Sequence, residues 1–212
     1  MNLSVDVISD VICPWCYIGK RRLEKAVAAV QEQHEVRVQW LPFQLNPAVP
    51  KEGVSRKEYR IKKFGSWERS QELDAKVIAV GETEGLDFAF DLMERTPNTV
   101  DAHRLIWLAD QNGCQDAVVE GLFRGYFTEG RDISNRQTLI NVVVEAGVDR
   151  QRAETMLNSD EGMDAIKDVE GLSRRHRVDG VPFFIINNEI ALSGAQQPEA
   201  FLEAFRMAVV SQ

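Results

Sequence analysis

The chain has 212 residues, of which 44% are hydrophobic, and its 25 basic and 33 acidic residues give a net charge of −8. This length allows one large or two small domains with a substantial core. The acidic balance argues against nucleic acid or an anionic membrane as a partner. No apolar run approaches the roughly 20 residues that span a bilayer. Strand-like sequence begins at Leu3, with no secretory signal before it, so we expect a cytoplasmic protein.

Two short basic runs, at residues 20–22 and 174–177, interrupt this acidic background. A local charge run most often forms the solvated face of a helix. The sequence therefore predicts that both runs face solvent and that neither binds a polyanion.

A cysteine pair separates the first predicted strand from the first predicted helix. Residues 3–8 alternate apolar side chains and include β-branched valines, which predicts a strand. From Pro14 to about residue 33 apolar side chains recur at spacings of three, four and seven, which predicts a helix, and proline suits its first turn. Cys13 therefore falls at the N-cap or N1 position, and Cys16 lies one turn further in.

The remaining elements divide into a helical block flanked by strands. Residues 36–41 predict a second strand, parallel to the first because a helix connects the two. Residues 85–96 predict an extended apolar loop lining a groove, and no strand is predicted between residues 55 and 177. Residues 181–186 and 189–193 predict a hairpin turning at Asn187 and Asn188, before a last helix. Helices are predicted at 55–64, 67–83, 98–111, 116–128, 135–146, 150–158 and 161–178.

The element order is β-α-β, a helical insertion, then β-β-α. With a Cys-x-x-Cys at the start of the first helix, this order resembles an α/β thioredoxin fold with a large all-helical domain inserted between its halves. The finer resemblance is to the DsbA-like family, and within it to the cytoplasmic FrnE-type branch of predicted dithiol–disulfide isomerases. The segments that carry it are SDVICPWCYIG (9–19), FQLNP (43–47), NT (98–99), AHRL (102–105), GVPFF (180–184) and SGAQ (193–196). The predicted division is 1–50 and 178–212 for the thioredoxin-like domain and 51–177 for the insertion.

Disulfide exchange assigns the two cysteines different roles. The attacking group is a thiolate, and the unpaired N–H groups and dipole at a helix N-terminus favour it, which is the position of Cys13. A spacing of three puts Cys16 on the same face, within reach of a disulfide. We therefore expect Cys13 to be the nucleophile and Cys16 to be the shielded thiol that resolves the mixed disulfide.

The resemblance also implies a substrate site opposite the cysteines. Pro182 would be cis and would pack against the pair, leaving the backbone of Val181 to bind an extended peptide. Substrate would then contact Trp15, Val181, Pro182 and apolar residues near Phe43 and Phe88. Expected partners are proteins or peptides that carry thiols or disulfides, with the chain a monomer or a homodimer. No tightly bound cofactor is expected, and glutathione stays open as a reductant.

Two other functions compete with disulfide exchange. A Cys-x-x-Cys can be half of a zinc site, but His34, His103 and His176 are scattered, so redox chemistry is favoured and no metal is predicted. Kappa-type glutathione transferases and hydroxychromene carboxylate isomerases also resemble the chain, with serine in place of Cys13. In such a protein glutathione would be activated instead, and the retained cysteine pair favours exchange.

Three further side chains have two interpretations each. Asp10 either tunes Cys13 or caps the first helix, and capping is favoured because aspartate is a common N-cap residue. Cys114 is predicted to be a semi-buried small residue, with a resolving or regulatory role as the alternative. His103 is predicted to have a surface or hydrogen-bonded structural role, and the alternative is a position facing the active-site cleft.

Overall fold

We describe the fold from a computed structural model, which covers residues 2–175 and 178–210. In chain order the elements are β1 (Asn2–Ser9), α1 (Pro14–Val30), β2 (Glu35–Pro42), β3 (Val54–Ser55), α2 (Arg56–Phe64), α3 (Trp67–Thr83), β4 (Arg95–Thr96), α4 (Val100–Gln111), α5 (Gln115–Phe127), α6 (Arg136–Glu145), α7 (Arg150–Leu157), α8 (Met163–Arg175), β5 (Phe183–Ile186), β6 (Ile190–Ser193) and α9 (Pro198–Val210). This order confirms the predicted fold, a thioredoxin-like sheet with a helical insertion.

Four strands form the main sheet in the order β2-β1-β5-β6. β1 is parallel to β2, as predicted, and antiparallel to β5, so it lies inside the sheet and its valines are fully buried. The predicted hairpin joins β5 to β6, and Asn187 and Asn188 have φ values of 49° and 59°. Such left-handed angles are those of a type I′ turn, which asparagine tolerates.

The helical block matches the predicted windows, with ends displaced by a few residues. Its last helix is described to Arg175, and the predicted boundary at residue 177 lies outside the described residues, as do residues 176 and 177 of the second basic run. The expectation of no strand between residues 55 and 177 was wrong at β3 and β4, which pair over two residues. A strand this short has no alternation that a sequence pattern could reveal.

The sheet and the helical block share one hydrophobic core. Tyr17 of α1 stacks on Phe123 of α5 at 5.0 Å between ring centroids, and Phe88 and Phe127 extend this aromatic cluster. The predicted apolar loop at residues 85–96 supplies Phe88 to the core. The division of the chain into domains at residues 50 and 177 is still a prediction. The buried hydrophobic cluster contains residues from both predicted domains.

The first basic run was predicted to face solvent, and this was wrong. The Lys20 side chain is 2% exposed, and its ammonium group pairs with Glu24, Asp116 and Glu120. Arg22 is also buried. The carboxylates of α5 make this burial tolerable because a buried charge is costly only when it lacks a partner.

Glu84, at the end of α3, lies between Arg22 and Lys25, whose Nε and Nζ atoms are each 2.6 Å from one of its oxygens. Burial raises the pKa of Glu84, but the bonds from Lys25 and Arg22 outweigh it and hold the pKa below its ordinary value. The pairs therefore stabilise the fold above the unfolded value of about 4.3, and this contribution is lost as pH falls through the folded pKa. We expect Glu84→Gln to lower the free energy of unfolding at pH 7 by about 1–3 kcal/mol.

Urea unfolding from pH 7 downwards measures this contribution. The difference between wild type and Glu84→Gln should shrink below about pH 4. Glu72→Gln is the matched control because its partner, Arg69, is exposed, and it should change stability by less than about 1 kcal/mol. A difference that stays constant down to pH 3 would count against the buried ion pairs as its source.

Candidate active site

The cysteine pair lies where the chain turns from β1 into α1. Cys13 is the N-cap residue, with extended backbone angles (φ −95°, ψ 111°), and Pro14 occupies the first turn. The Cys13 N–H donates to the Asp10 carbonyl at 2.9 Å, and the Cys16 N–H donates to the Cys13 carbonyl at 3.0 Å. These two bonds fix a tight turn that points both cysteines into the protein.

The two thiols differ in burial. Cys13 is 5% exposed and Cys16 is 1% exposed, and both are free. Burial first, and then the neighbouring Cys13 thiol, raises the pKa of Cys16 well above its ordinary value, against the opposing effect of hydrogen bonds from Asp10 and Ser9. Cys16 therefore keeps its proton at neutral pH while Cys13 is unreacted.

The start of β5 lies opposite Cys13. The Cys13 Sγ atom is 3.4 Å from the Val181 carbonyl oxygen, and the peptide bond between Val181 and Pro182 is cis. The Pro182 carbonyl accepts a 2.8 Å bond from the Gly194 N–H, which holds this segment in place. The structure thus brings Val181 and Pro182, two of the predicted substrate-binding residues, next to the cysteine pair.

Gly19 of α1 faces this proline directly. A Cβ atom at position 19 would lie 3.0 Å from Pro182 Cγ and 3.1 Å from Phe184 Cζ, both in rigid rings. Alanine gains about 1 kcal/mol over glycine in a helix, but overpacking a core costs about 1–3 kcal/mol. We expect the packing cost to prevail, so Gly19→Ala should be destabilised by about 1 kcal/mol in urea unfolding and should react more slowly in disulfide exchange.

Gly125→Ala is the matched control for that substitution. It also adds a methyl group to a buried helical glycine, and its nearest neighbour would be 3.4 Å away, an ordinary contact. It should be neutral or slightly stabilising. Equal effects at the two positions would mean that the contact with Pro182 is not what matters.

Asp10 does not cap α1, so that prediction was wrong. Its buried carboxylate accepts a 2.7 Å bond from the Leu45 N–H, and its other oxygen lies 3.4 Å from His103 Nε2. His103 Nε2 is also 3.0 Å from the Phe43 carbonyl oxygen. Asp10 and His103 therefore tie the turn before the cysteines to the loop after β2 and to α4. This pairing could not be predicted from the sequence, because its partners are distant along the chain.

A cavity of about 360 Å³ opens beside Cys13. Trp15, 39% exposed, lies at its edge, and the apolar part of its wall includes Phe90 and Met93. Phe43 and Phe88, predicted to lie near substrate, do not line it. Phe88 packs inside the aromatic cluster, and Phe43 contacts a separate small cluster beneath the sheet.

Sequence reasoning missed the charged wall of this cavity. Arg56, Arg60 and Lys63 of α2 line it together with Asp74 and Lys76 of α3. A signal was present, since the three basic residues of α2 are spaced by four and three and so share one helix face. What the sequence could not reveal is that this face turns toward Cys13.

The remaining predicted features lie away from the cavity. Cys114 is half-buried at the N-cap of α5 and packs against the core, as predicted.

Within residues 2–175 and 178–210, no group of three or more His, Cys, Asp or Glu side chains is arranged to hold a metal ion. His176 lies outside that range. In the same part of the chain no helix is long and apolar enough to cross a membrane.

The sequence also matches a known domain along almost its whole length. Residues 4–206 match the DSBA-like thioredoxin domain. The chain belongs to the DSBA-like thioredoxin domain family. Membership implies thiol–disulfide oxidoreductase or isomerase activity, and it confirms the family predicted from the sequence. The FrnE-type branch within this family stays a prediction.

Solved structures agree with this assignment. A probable DsbA oxidoreductase from Streptomyces coelicolor is 30% identical, with a TM-score of 0.90 over 99% of this chain and 91% of that chain. The cytosolic disulfide reductase DsbM from Pseudomonas aeruginosa, solved with GSH, is 18% identical, with a TM-score of 0.67 over 97% and 98%. A 2-hydroxychromene-2-carboxylate isomerase is 17% identical, with a TM-score of 0.70 over 98% and 96%. The last two share the fold with this DSBA-like protein.

Proposed function

We propose that this DSBA-like protein is a thiol–disulfide oxidoreductase in which Cys13 is the nucleophile and Cys16 the resolving thiol. Its substrates are proteins, peptides or small molecules that carry thiols or disulfides. The observation that carries the proposal is the position of Cys13 at the start of α1, with its Sγ 3.4 Å from the Val181 carbonyl and Cys16 buried one turn behind. We further propose that it works in the cytoplasm, as predicted from the sequence.

The reaction proceeds in two exchanges. The Cys13 thiolate attacks one sulfur of a substrate disulfide, forming a mixed disulfide and releasing the other sulfur as a thiolate, which takes up a proton. Cys16 then loses its proton and attacks Cys13 Sγ, which releases the second substrate thiolate and forms the Cys13–Cys16 disulfide. Two electrons pass from the protein to the substrate, and the reverse sequence oxidises a dithiol.

The environment of Cys16 suits the second step. Because its pKa is raised, the thiol stays protonated until the mixed disulfide forms. Formation of the mixed disulfide consumes the Cys13 thiolate, whose proximity contributes to the raised pKa of Cys16. The Cys16 thiolate, which attacks in the second step, then forms more easily. Val181, with its carbonyl facing Cys13, and exposed Trp15 are the residues that would contact a bound substrate.

Turnover of a protein disulfide tests this proposal. The wild-type protein with dithiothreitol should accelerate insulin reduction and restore activity to scrambled ribonuclease, and Cys13→Ser should do neither. Cys114→Ser is the matched control and should behave as wild type. The competing function is a glutathione-dependent isomerase or transferase. An inactive wild type in both assays that isomerises an aromatic substrate with glutathione would support that function and contradict ours.

A further inference from the structure

The cavity beside Cys13 carries more positive than negative charge. Arg56, Arg60, Lys63 and Lys76 line it, whereas Asp74 is the one carboxylate among its described lining residues. The wall contributes four cationic side chains against one anionic side chain. A cleft lined by one sign of charge concentrates ions of the other sign.

The single carboxylate is already fully engaged. Arg56 Nη2 donates to Asp74 Oδ2 at 2.7 Å, and Arg60 Nη2 donates to Asp74 Oδ1 at 2.6 Å. One carboxylate cannot neutralise two guanidinium groups. Burial, reinforced by the Arg56 charge, lowers the pKa of Arg60 although Asp74 acts in the opposite direction. An uncompensated positive charge therefore remains in the inner wall.

The outer wall adds two lysines, Lys63 and Lys76. Lys63 Nζ contacts the Tyr59 hydroxyl at 3.1 Å, and neither Lys63 nor Lys76 pairs with a carboxylate in the part of the chain that the structure describes. Both side chains are exposed. The basic side chains of α1, by contrast, pair with carboxylates such as Glu24, Glu84 and Glu120.

We infer that this cavity binds the carboxylates of an anionic low-molecular-weight thiol and places its sulfur against Cys13. The inference rests on the proposed function and names the class of reductant. A volume of about 360 Å³ suits a ligand of the size of a tripeptide and is too small for a folded partner. Trp15 and Met93 offer apolar surface to the aliphatic part of such a thiol.

The reduction consumes two thiols for each protein disulfide. The thiolate of the first attacks Cys13 Sγ, which forms a mixed disulfide with Cys13 and releases the Cys16 thiolate, and Cys16 then takes up a proton. The thiolate of a second molecule attacks the ligand sulfur, which releases the Cys13 thiolate and a symmetrical small-molecule disulfide. Once the Cys13 thiolate takes up a proton, the protein has gained two electrons and two protons, and the two thiols have lost them.

Glutathione and its diethyl ester separate the effect of charge from that of the thiol. Oxidised protein is mixed with either thiol at constant ionic strength and quenched by alkylation, and the rate per thiolate is read by intact mass. Wild type should react about fivefold faster with glutathione than with the ester. The double variant Lys63→Gln, Lys76→Gln should lose about fivefold with glutathione and less than twofold with the ester.

Arg69→Gln on α3 is the control, because this exposed arginine lies outside the cavity and pairs with Glu72. It should leave both rates unchanged. If the lysine substitutions slow both thiols equally, or neither, the anionic-thiol site is wrong while disulfide exchange stands. If the wild-type disulfide is reduced by neither thiol, the proposed function is wrong as well. The rate of reduction by the glutathione ester shows whether the lysine variant is still folded and competent in disulfide exchange.

Discussion

Cys16→Ser should accumulate a stable mixed disulfide between Cys13 and its substrate. In wild type the second thiol is held one helical turn away, so resolution is intramolecular and has a high effective concentration. Without it, release requires a second thiol from solution and should slow by on the order of 100-fold or more. Incubation with oxidised glutathione, followed by intact mass analysis without reductant, should show one glutathione bound to each chain.

Two further variants identify the attacking cysteine. Cys13→Ser should form the glutathione adduct much more slowly than Cys16→Ser does. The reason is that buried Cys16 has a raised pKa and little access to solvent. Cys114→Ser should match wild type. An adduct that forms on Cys13→Ser and not on Cys16→Ser would reverse the two roles.

Arg104→Ala should lower the free energy of unfolding by about 3–5 kcal/mol. Arg104, almost fully buried in α4, donates to the Met156 carbonyl at 2.7 Å, the Glu161 carbonyl at 2.8 Å and the Ser159 carbonyl. Its remaining nitrogen pairs with Asp101 at 2.8 Å. Truncation removes a buried donor from each of these three carbonyls, and a buried polar group that loses its partner carries a large cost. Urea unfolding monitored by circular dichroism measures the loss.

Two further substitutions, an intermediate variant and a control, test the interpretation of the Arg104→Ala result. Arg104→Lys keeps the charge but cannot reproduce the planar set of donors, so it should fall between wild type and alanine and stay folded enough to measure. Arg152→Ala is the control, since that arginine pairs with Glu161 at a partly exposed position, and it should cost less than about 1 kcal/mol. If Arg104→Ala and Arg152→Ala were equally stable, the buried network would not be a main support of the helical block.

Local patterns in the sequence predicted most of the fold. The strand at residues 3–8, the helix from Pro14 and the Asn187-Asn188 turn each depend on neighbours within a few positions. The cysteine junction could be predicted for the same reason, because a proline and a cysteine pair at the start of a helix form a local motif. The two-residue strands β3 and β4 were missed because their pairing partners lie about 40 residues apart.

What could not be predicted depends on contacts between distant segments. Lys20 is buried because Asp116, 96 residues away, provides a carboxylate for it. The local sequence around Asp10 predicts a helix cap, yet its carboxylate binds the Leu45 N–H, 35 residues away. The same limit applies to the cavity, where the basic face of α2 is visible in the sequence but its orientation toward Cys13 is set by packing.

A redox titration of the cysteine pair tests the central claim most directly. The protein is equilibrated across ratios of reduced to oxidised glutathione, its free thiols are alkylated, and intact mass and peptide mapping give the state of each cysteine. We predict a two-electron transition in which Cys13 and Cys16 form a disulfide while Cys114 is alkylated throughout. A pair that stays fully alkylated at every ratio, or a disulfide that includes Cys114, would contradict the account.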